Sequence, residues 1–210
     1  MPFLDEIKID EGKLFLWEIT EPIETMLKLG RDFTRETKFL GIKNEKRQLE
    51  WLAVRLLLQQ AGCDNEQISY TENGRPCIRN SSFQSISISH SNKLAGVFLH
   101  PKEHCGLDIE SADRDFGRIE KKYLSAEESA LASQTENGLG WFWCIKEAVY
   151  KAAGIAGIVF NQQIMILPAA TNEYLSNLQI EPPIQFKIFR KKLADQLLVC
   201  CVPTGKTSIS

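Results

Sequence analysis

No stretch of this sequence is apolar for long enough to form a transmembrane helix. The opening Met1-Pro2-Phe3-Leu4-Asp5-Glu6 has no basic run followed by an apolar one, so no signal peptide is expected. The six cysteines (Cys63, Cys77, Cys105, Cys144, Cys200, Cys201) include no CxxC pair and no finger-like spacing. Most lie inside apolar runs, where a free thiol behaves as a small hydrophobe, and a reduced, cytoplasmic setting is expected. Excess charge of one sign is also missing. A formal net charge of −2 argues against non-specific nucleic-acid binding, although a local basic patch can still hold an anion. What remains is a soluble globular composition, 43% hydrophobic and 25% charged. At 210 residues it makes one ordinary domain or two small ones.

Against that background Cys105-Gly106-Leu107-Asp108-Ile109-Glu110 stands out. It reads as a strand with Leu107 and Ile109 on one face and Asp108 and Glu110 on the other. Two neighbouring carboxylates are unfavourable unless a proton, a basic group or a cation lies between them. Hard oxygen donors with no Cys or His pair nearby favour magnesium or manganese over zinc. The plain alternative is an edge strand with a solvated acidic face.

Upstream, Lys13 to Thr20 reads as a strand, and Pro22 to Gly30 brackets a helix. Asn44 is placed to cap a long helix ending near Gly62, with Leu49, Leu52, Leu56 and Leu57 as its core stripe. Gln67 to Thr71 reads as a strand before the turn at Glu72 to Pro76. Ser85 to Ser89 alternates as a half-buried strand with a serine face, and Leu94 to Leu99 completes a hairpin. Lys102-Glu103-His104 marks the boundary between an N-terminal half, 1–103, and a C-terminal half, 104–210.

Downstream, Ser125 with Glu128 has capping-box spacing, predicting a helix to about Ala132. Glu136-Asn137-Gly138 breaks it, and Trp141 to Ala153 forms a second helix closed by Gly154. Four short β-like runs follow: Ile155 to Phe160, Gln163 to Leu167, Ile184 to Phe189 and Gln196 to Val202. Helix followed by strands in both halves hints at a duplicated α+β unit.

On the second helix Trp143, Glu147 and Lys151 recur every four residues, while Phe142, Ile145, Val149 and Ala152 form a separate apolar stripe. A Glu-to-Lys pair four apart ordinarily contributes roughly 0.2–0.5 kcal/mol and nothing more. If Glu147 faces Asp108 and Glu110, the three carboxylates can hold magnesium against a pyrophosphate, with Lys151 stabilising the leaving phosphate. Glu147 can then also take a proton from an attacking hydroxyl. Among weaker candidates, Ser89-His90 at a strand end, Arg75 in a glycine turn and Arg47 near a helix start could each contact phosphate. A local hydrogen-bonding histidine and solvated arginines are the ordinary reading of the same residues. His100 and His104 flank a turn and look structural or merely exposed, and Ser125 with Glu128 is better explained by capping than by catalysis.

Taken in order, these stretches resemble the 4′-phosphopantetheinyl transferases of the surfactin-synthetase-activating type. Gly74-Arg75-Pro76 is similar to that family's Gly-Lys/Arg-Pro turn, and Ile86 to Ser91 to its xxISHS strand end. Gly106 to Glu110 resembles its metal strand, Leu124 to Glu128 its F-S-x-x-E segment, and Trp143 to Lys151 its W-x-x-K-E-A-x-x-K helix. Leu124 stands where the family has Phe. The resemblance covers roughly residues 45 to 155, and five ordered motifs are far more specific than one. It implies an α+β fold of two pseudo-twofold duplicated halves with coenzyme A in the cleft between them. It implies Asp108, Glu110 and Glu147 as ligands of magnesium (or manganese), Glu147 as base on a carrier-protein serine, and Lys151 on the pyrophosphate. Arg47, Arg75, Ser89, His90 and Asp108 would contact coenzyme A. The implied partner is an apo acyl or peptidyl carrier protein of fatty-acid, polyketide or nonribosomal peptide synthesis, and a monomer is expected. Two other readings use the same residues: a magnesium-dependent phosphohydrolase, and a non-catalytic coenzyme A or carrier-protein binding module.

Overall fold

In the computed structural model, which describes residues 3–64, 67–79, 81–102, 104–168 and 174–205, each half of the chain pairs its main antiparallel sheet with one long helix. The chain divides into two units, Met1–Pro101 and Lys102–Ser210. Glu103, in the expected boundary, lies outside the described residues, as do Met1 and Pro2.

The first unit opens with β1 (Phe3–Ile9) and β2 (Gly12–Glu18), a hairpin of which only β2 was legible as a strand. β1 carries Asp5, Glu6 and Lys8 and lies at the sheet edge, where charge discourages further pairing. Then come α1 (Ile23–Leu29), a 3-10 turn at Phe33–Arg35, α2 (Thr37–Leu40) and α3 (Glu45–Gln60). Asn44 caps α3 as expected, its side chain accepting the Arg47 N–H at 3.1 Å. Leu52, Leu56 and Leu57 are buried on this helix together with Ala53 and Leu58, whereas Leu49 is only partly buried. β3 (Ile68–Tyr70) and β4 (Pro76–Ile78) form a separate ribbon, and β5 (Ser85–His90) and β6 (Leu94–His100) complete a sheet ordered β1-β2-β6-β5. The serine row of β5 is not solvated. Ser85, Ser87 and Ser89 are all buried, on the same sheet face as Phe98 and Leu14.

In the second unit β7 (Gly106–Ser111) leads through a 3-10 turn at Gly117–Ile119 to α4 (Glu120–Tyr123), α5 (Ala126–Ser133) and α6 (Gly138–Ala153). The capping box on α5 forms as the spacing predicted, and α6 begins three residues earlier than expected. The strand expected at Ile155 to Phe160 is absent. Gly154 and Gly157 take φ of 65° and 80°, which interrupts extended backbone, and the chain turns into α7 (Phe160–Gln163). β8 (Ile164–Pro168), β9 (Tyr174–Leu178), β10 (Ile184–Leu193) and β11 (Gln196–Pro203) follow, in a sheet ordered β7-β11-β10-β9-β8. β9 has no strand signal of its own, since Tyr-Leu-Ser-Asn-Leu has no β-branched residue; it is extended because β8 and β10 pair with it on either side. Among the described residues no helix is long and apolar enough to cross a membrane.

The two units share a chain order. In the first, β2, α3, β5 and β6 give neighbours β2-β6-β5; in the second, β7, α6, β10 and β11 give β7-β11-β10.

The apolar stripe of α6 lies on the sheet: Phe142, Ile145, Val149 and Ala152 are fully buried in a core that includes Leu197, Val199 and Phe186. The helix comes closest at Gly106, where an added Cβ would stand 1.9 Å from the Ala148 carbonyl oxygen. Backbone cannot yield as a side-chain tip can. Gly106→Ala is therefore expected to cost roughly 1–3 kcal/mol by forcing α6 off the strand. Urea denaturation reads this directly, and an unchanged midpoint would show that the helix seats elsewhere.

Candidate functional site

β7 is an edge strand, but its acidic face is not solvated. Asp108 is 4% exposed, because α6 crosses that face. The alternation that puts Gly106 against Ala148 points Asp108 and Glu110 toward the same helix. Each is met by a residue of the four-residue row. Lys151 Nζ donates to Asp108 Oδ1 at 2.7 Å and to the Leu107 carbonyl at 3.0 Å. Trp143 Nε1 donates to Glu110 Oε1 at 2.9 Å, and Arg114 pairs with that same oxygen. Lys151 thus reaches across to the strand rather than back to Glu147, so the simple helix-surface pair is not what forms.

Glu147 lies between these two and is coupled to both strand carboxylates. Burial first, then the charge of Asp108, raise its pKa from the ordinary 4.5 to about 7, with Lys151 opposing. Burial and Asp108 raise Glu110 likewise, with Arg114, the Trp143 hydrogen bond and Lys151 opposing. The thiol of Cys144 is fully buried beside Asp108, and burial holds it well above its ordinary value. Trp143 is itself fixed by an edge-on contact with Tyr123 at 5.2 Å, and the Tyr123 hydroxyl donates to the Leu139 carbonyl.

Among the described residues no three His, Cys, Asp or Glu side chains are drawn close enough to hold a metal as they stand. Lys151 and Arg114 hold the Asp108 and Glu110 oxygens. The chemistry of the donor set nonetheless fits a hard divalent cation. Burial and the charge of Asp108 raise the pKa of both Glu110 and Glu147 in a partly desolvated site, and a cation among the carboxylates would remove that penalty.

The supporting residue that capping arguments missed is Lys146. It is fully buried, and its ammonium donates to Glu128 Oε2 at 2.6 Å, the Ile164 carbonyl at 2.6 Å and the Phe160 carbonyl at 3.0 Å. Glu128 also accepts from the Ser125 and Ile166 N–H groups, so one carboxylate ties α5, α6 and β8 together. A lysine four residues after Phe142, inside the apolar side of α6, was the signal for it. Arg114 carried no signal, being one charge in a polar loop.

The candidates of the first unit are distributed over three elements. Arg47 is exposed in the first turn of α3. One turn on, buried Glu50 approaches His90 Nδ1 at 3.4 Å, so α3 orients the imidazole at the end of β5. Ser89 points to the opposite, buried face. Arg75 lies in the turn joining β3 to β4, its N–H donating to Thr71 Oγ1 at 3.1 Å beside Gly74 at φ 78°.

Residues 104–202 match the family model described as the 4′-phosphopantetheinyl transferase superfamily. The match covers just under half of the chain and includes Asp108, Glu110, Glu147 and Lys151. No curated protein matches the chain.

Proposed function

We propose that this protein transfers the 4′-phosphopantetheine group of coenzyme A to a serine of an acyl or peptidyl carrier protein, releasing adenosine 3′,5′-bisphosphate. One observation carries the reading: the segment that matches the superfamily is the one in which α6 brings Glu147 and Lys151 onto Asp108 and Glu110. The ordered motifs upstream support the surfactin-synthetase-activating type, and the shared strand–helix–strand–strand order supports a duplication of the two units.

Asp108, Glu110 and Glu147 are the residues that would hold magnesium or manganese, which supplies charge neutralisation to a bound pyrophosphate. Glu147, with a pKa of about 7, takes the proton of the serine hydroxyl, directly or through water. The serine oxygen forms its bond to the phosphorus next to pantetheine, and the bond from that phosphorus to the bridging oxygen breaks. Lys151, positioned by Asp108 and a backbone carbonyl, donates to the departing phosphate. Arg47, Arg75, Ser89 and His90 are assigned to coenzyme A.

The test is the intact mass of an apo carrier protein after incubation with this protein, coenzyme A and magnesium. A gain of one phosphopantetheine group establishes the transfer. Cleavage of coenzyme A without an acceptor would make the protein a hydrolase instead.

The metal assignment has its own readout. A carboxyl whose pKa is raised in the fold stabilises the metal-free protein below its ordinary value, and that contribution disappears as pH rises through the folded value. For Glu147 the window runs from 4.5 to about 7. Magnesium is therefore expected to raise Tm more at about pH 8 than at about pH 5.5, where Glu147 holds a proton. Equal shifts at both pH values would remove Glu147 from the ligand set.

A further inference from the structure

Arg114 belongs to none of the motifs above, yet it is the second cation of this site. Its backbone is held where β7 ends: the Arg114 N–H donates to the Ser111 carbonyl at 3.2 Å, and the neighbouring Ala112 N–H donates to the Asp195 carbonyl at 2.7 Å. Its guanidinium lies 5.1 Å from the Trp143 ring centre and 5.2 Å from that of Phe116. These rings hold the group independently of any carboxylate. It pairs with Glu110 Oε1, an oxygen that Trp143 Nε1 already engages. The side chain is 41% exposed, so its outer edge remains open to a ligand.

Charge decides what that edge is for. Asp108, Glu110 and Glu147 stand against Lys151 and Arg114, which leaves one negative charge when all are ionised. A divalent cation on the carboxylates would turn this into one positive charge and would satisfy Glu110 without Arg114. A guanidinium freed from Glu110 would keep its contacts with the Trp143 and Phe116 rings and present a planar fork of donors suited to phosphate oxygens. Lys151 is less able to make this exchange, being tied to a backbone carbonyl as well as to Asp108.

Resting on the proposed function, we propose that Arg114 is a phosphate-binding residue. It neutralises Glu110 in the absence of the cation and passes to the substrate's pyrophosphate when the cation takes Glu110.

The experiment measures binding of manganese alone, and then of inorganic pyrophosphate in its presence, by calorimetry on the full chain. The variants are Arg114→Ala and Arg114→Lys, each with circular dichroism to confirm the fold. Arg114→Ala is expected to bind manganese as tightly as the parent or tighter, and to bind pyrophosphate about ten- to hundredfold more weakly. Arg114→Lys recovers part of that loss, keeping charge but not the fork. If Arg114→Ala leaves pyrophosphate affinity unchanged, or weakens manganese equally, Arg114 is a structural counter-ion and the proposal falls while the proposed function stands. If the parent protein binds neither probe, both fall.

Discussion

Glu147→Gln is expected to lower the rate of carrier modification by about 10²–10⁴-fold, the range a positioned proton acceptor contributes. Glutamine keeps the shape and accepts hydrogen bonds but cannot take the serine proton or add charge to the carboxylate set. The same change is expected to stabilise the metal-free protein. Glu147 is pushed up to about 7 by burial and by Asp108, so at pH 8 the fold carries a charge it disfavours. Removing it contributes on the order of 1–3 kcal/mol above pH 7 and fades toward pH 4.5, where the parent is already protonated. Activity down and stability up together separate a functional carboxylate from a structural one. A variant that is equally active, or one destabilised at pH 8, would show that Glu147 serves the fold instead. Denaturation midpoints across pH, set beside the mass assay, give both readings from one preparation.

Lys146→Met carries the largest expected effect on the fold, about 3–5 kcal/mol of lost stability. The ammonium is fully buried, and burial lowers its pKa while the Glu128 hydrogen bond opposes this. Methionine matches the length of the stem but leaves Glu128 a buried carboxylate without its counter-ion, and leaves the Phe160 and Ile164 carbonyls short of a donor. Replacing both partners, Lys146→Met with Glu128→Leu, is expected to recover part of the loss, because no charge is then stranded. Chemical denaturation of the two single variants and the double variant completes the cycle. Additive losses would mean that the pair is not coupled. Where Lys146→Met remains folded at low temperature, its activity per folded molecule should stay near the parent's, since Lys146 faces Glu128 and not the carboxylates of β7.

Lys146 and Glu147 are adjacent in sequence but project from α6 about 100° apart toward different partners, Lys146 to Glu128 and Glu147 to the β7 carboxylates. No reading of charge alone separates them. Periodicity does so in part: Glu147 shares a row with Trp143 and Lys151, whereas Lys146 falls among Phe142, Ile145 and Val149.

Local chemistry alone determined the pieces whose causes are local. Asn44 before α3, Ser125 with Glu128 at α5 and Gly154 after α6 each act within a few residues, and each forms as its spacing predicted. The alternation of β7 likewise puts Asp108 and Glu110 on one face, because a period of two needs no partner strand to define it. Tertiary structure decided whatever needed a distant partner. β1 and β9 are extended only because neighbouring strands pair with them, and the run after Gly154 turns aside despite its apolar residues. That Glu147 is coupled to Asp108, that Lys151 crosses to the strand and that Arg114 stands over Trp143 all follow from seating α6 on β7. Close approaches at Gly106 and at Gly140 fix that seating, together with the buried apolar stripe of the helix. Packing between segments remote in sequence leaves no periodic trace in either one, and this site is made there.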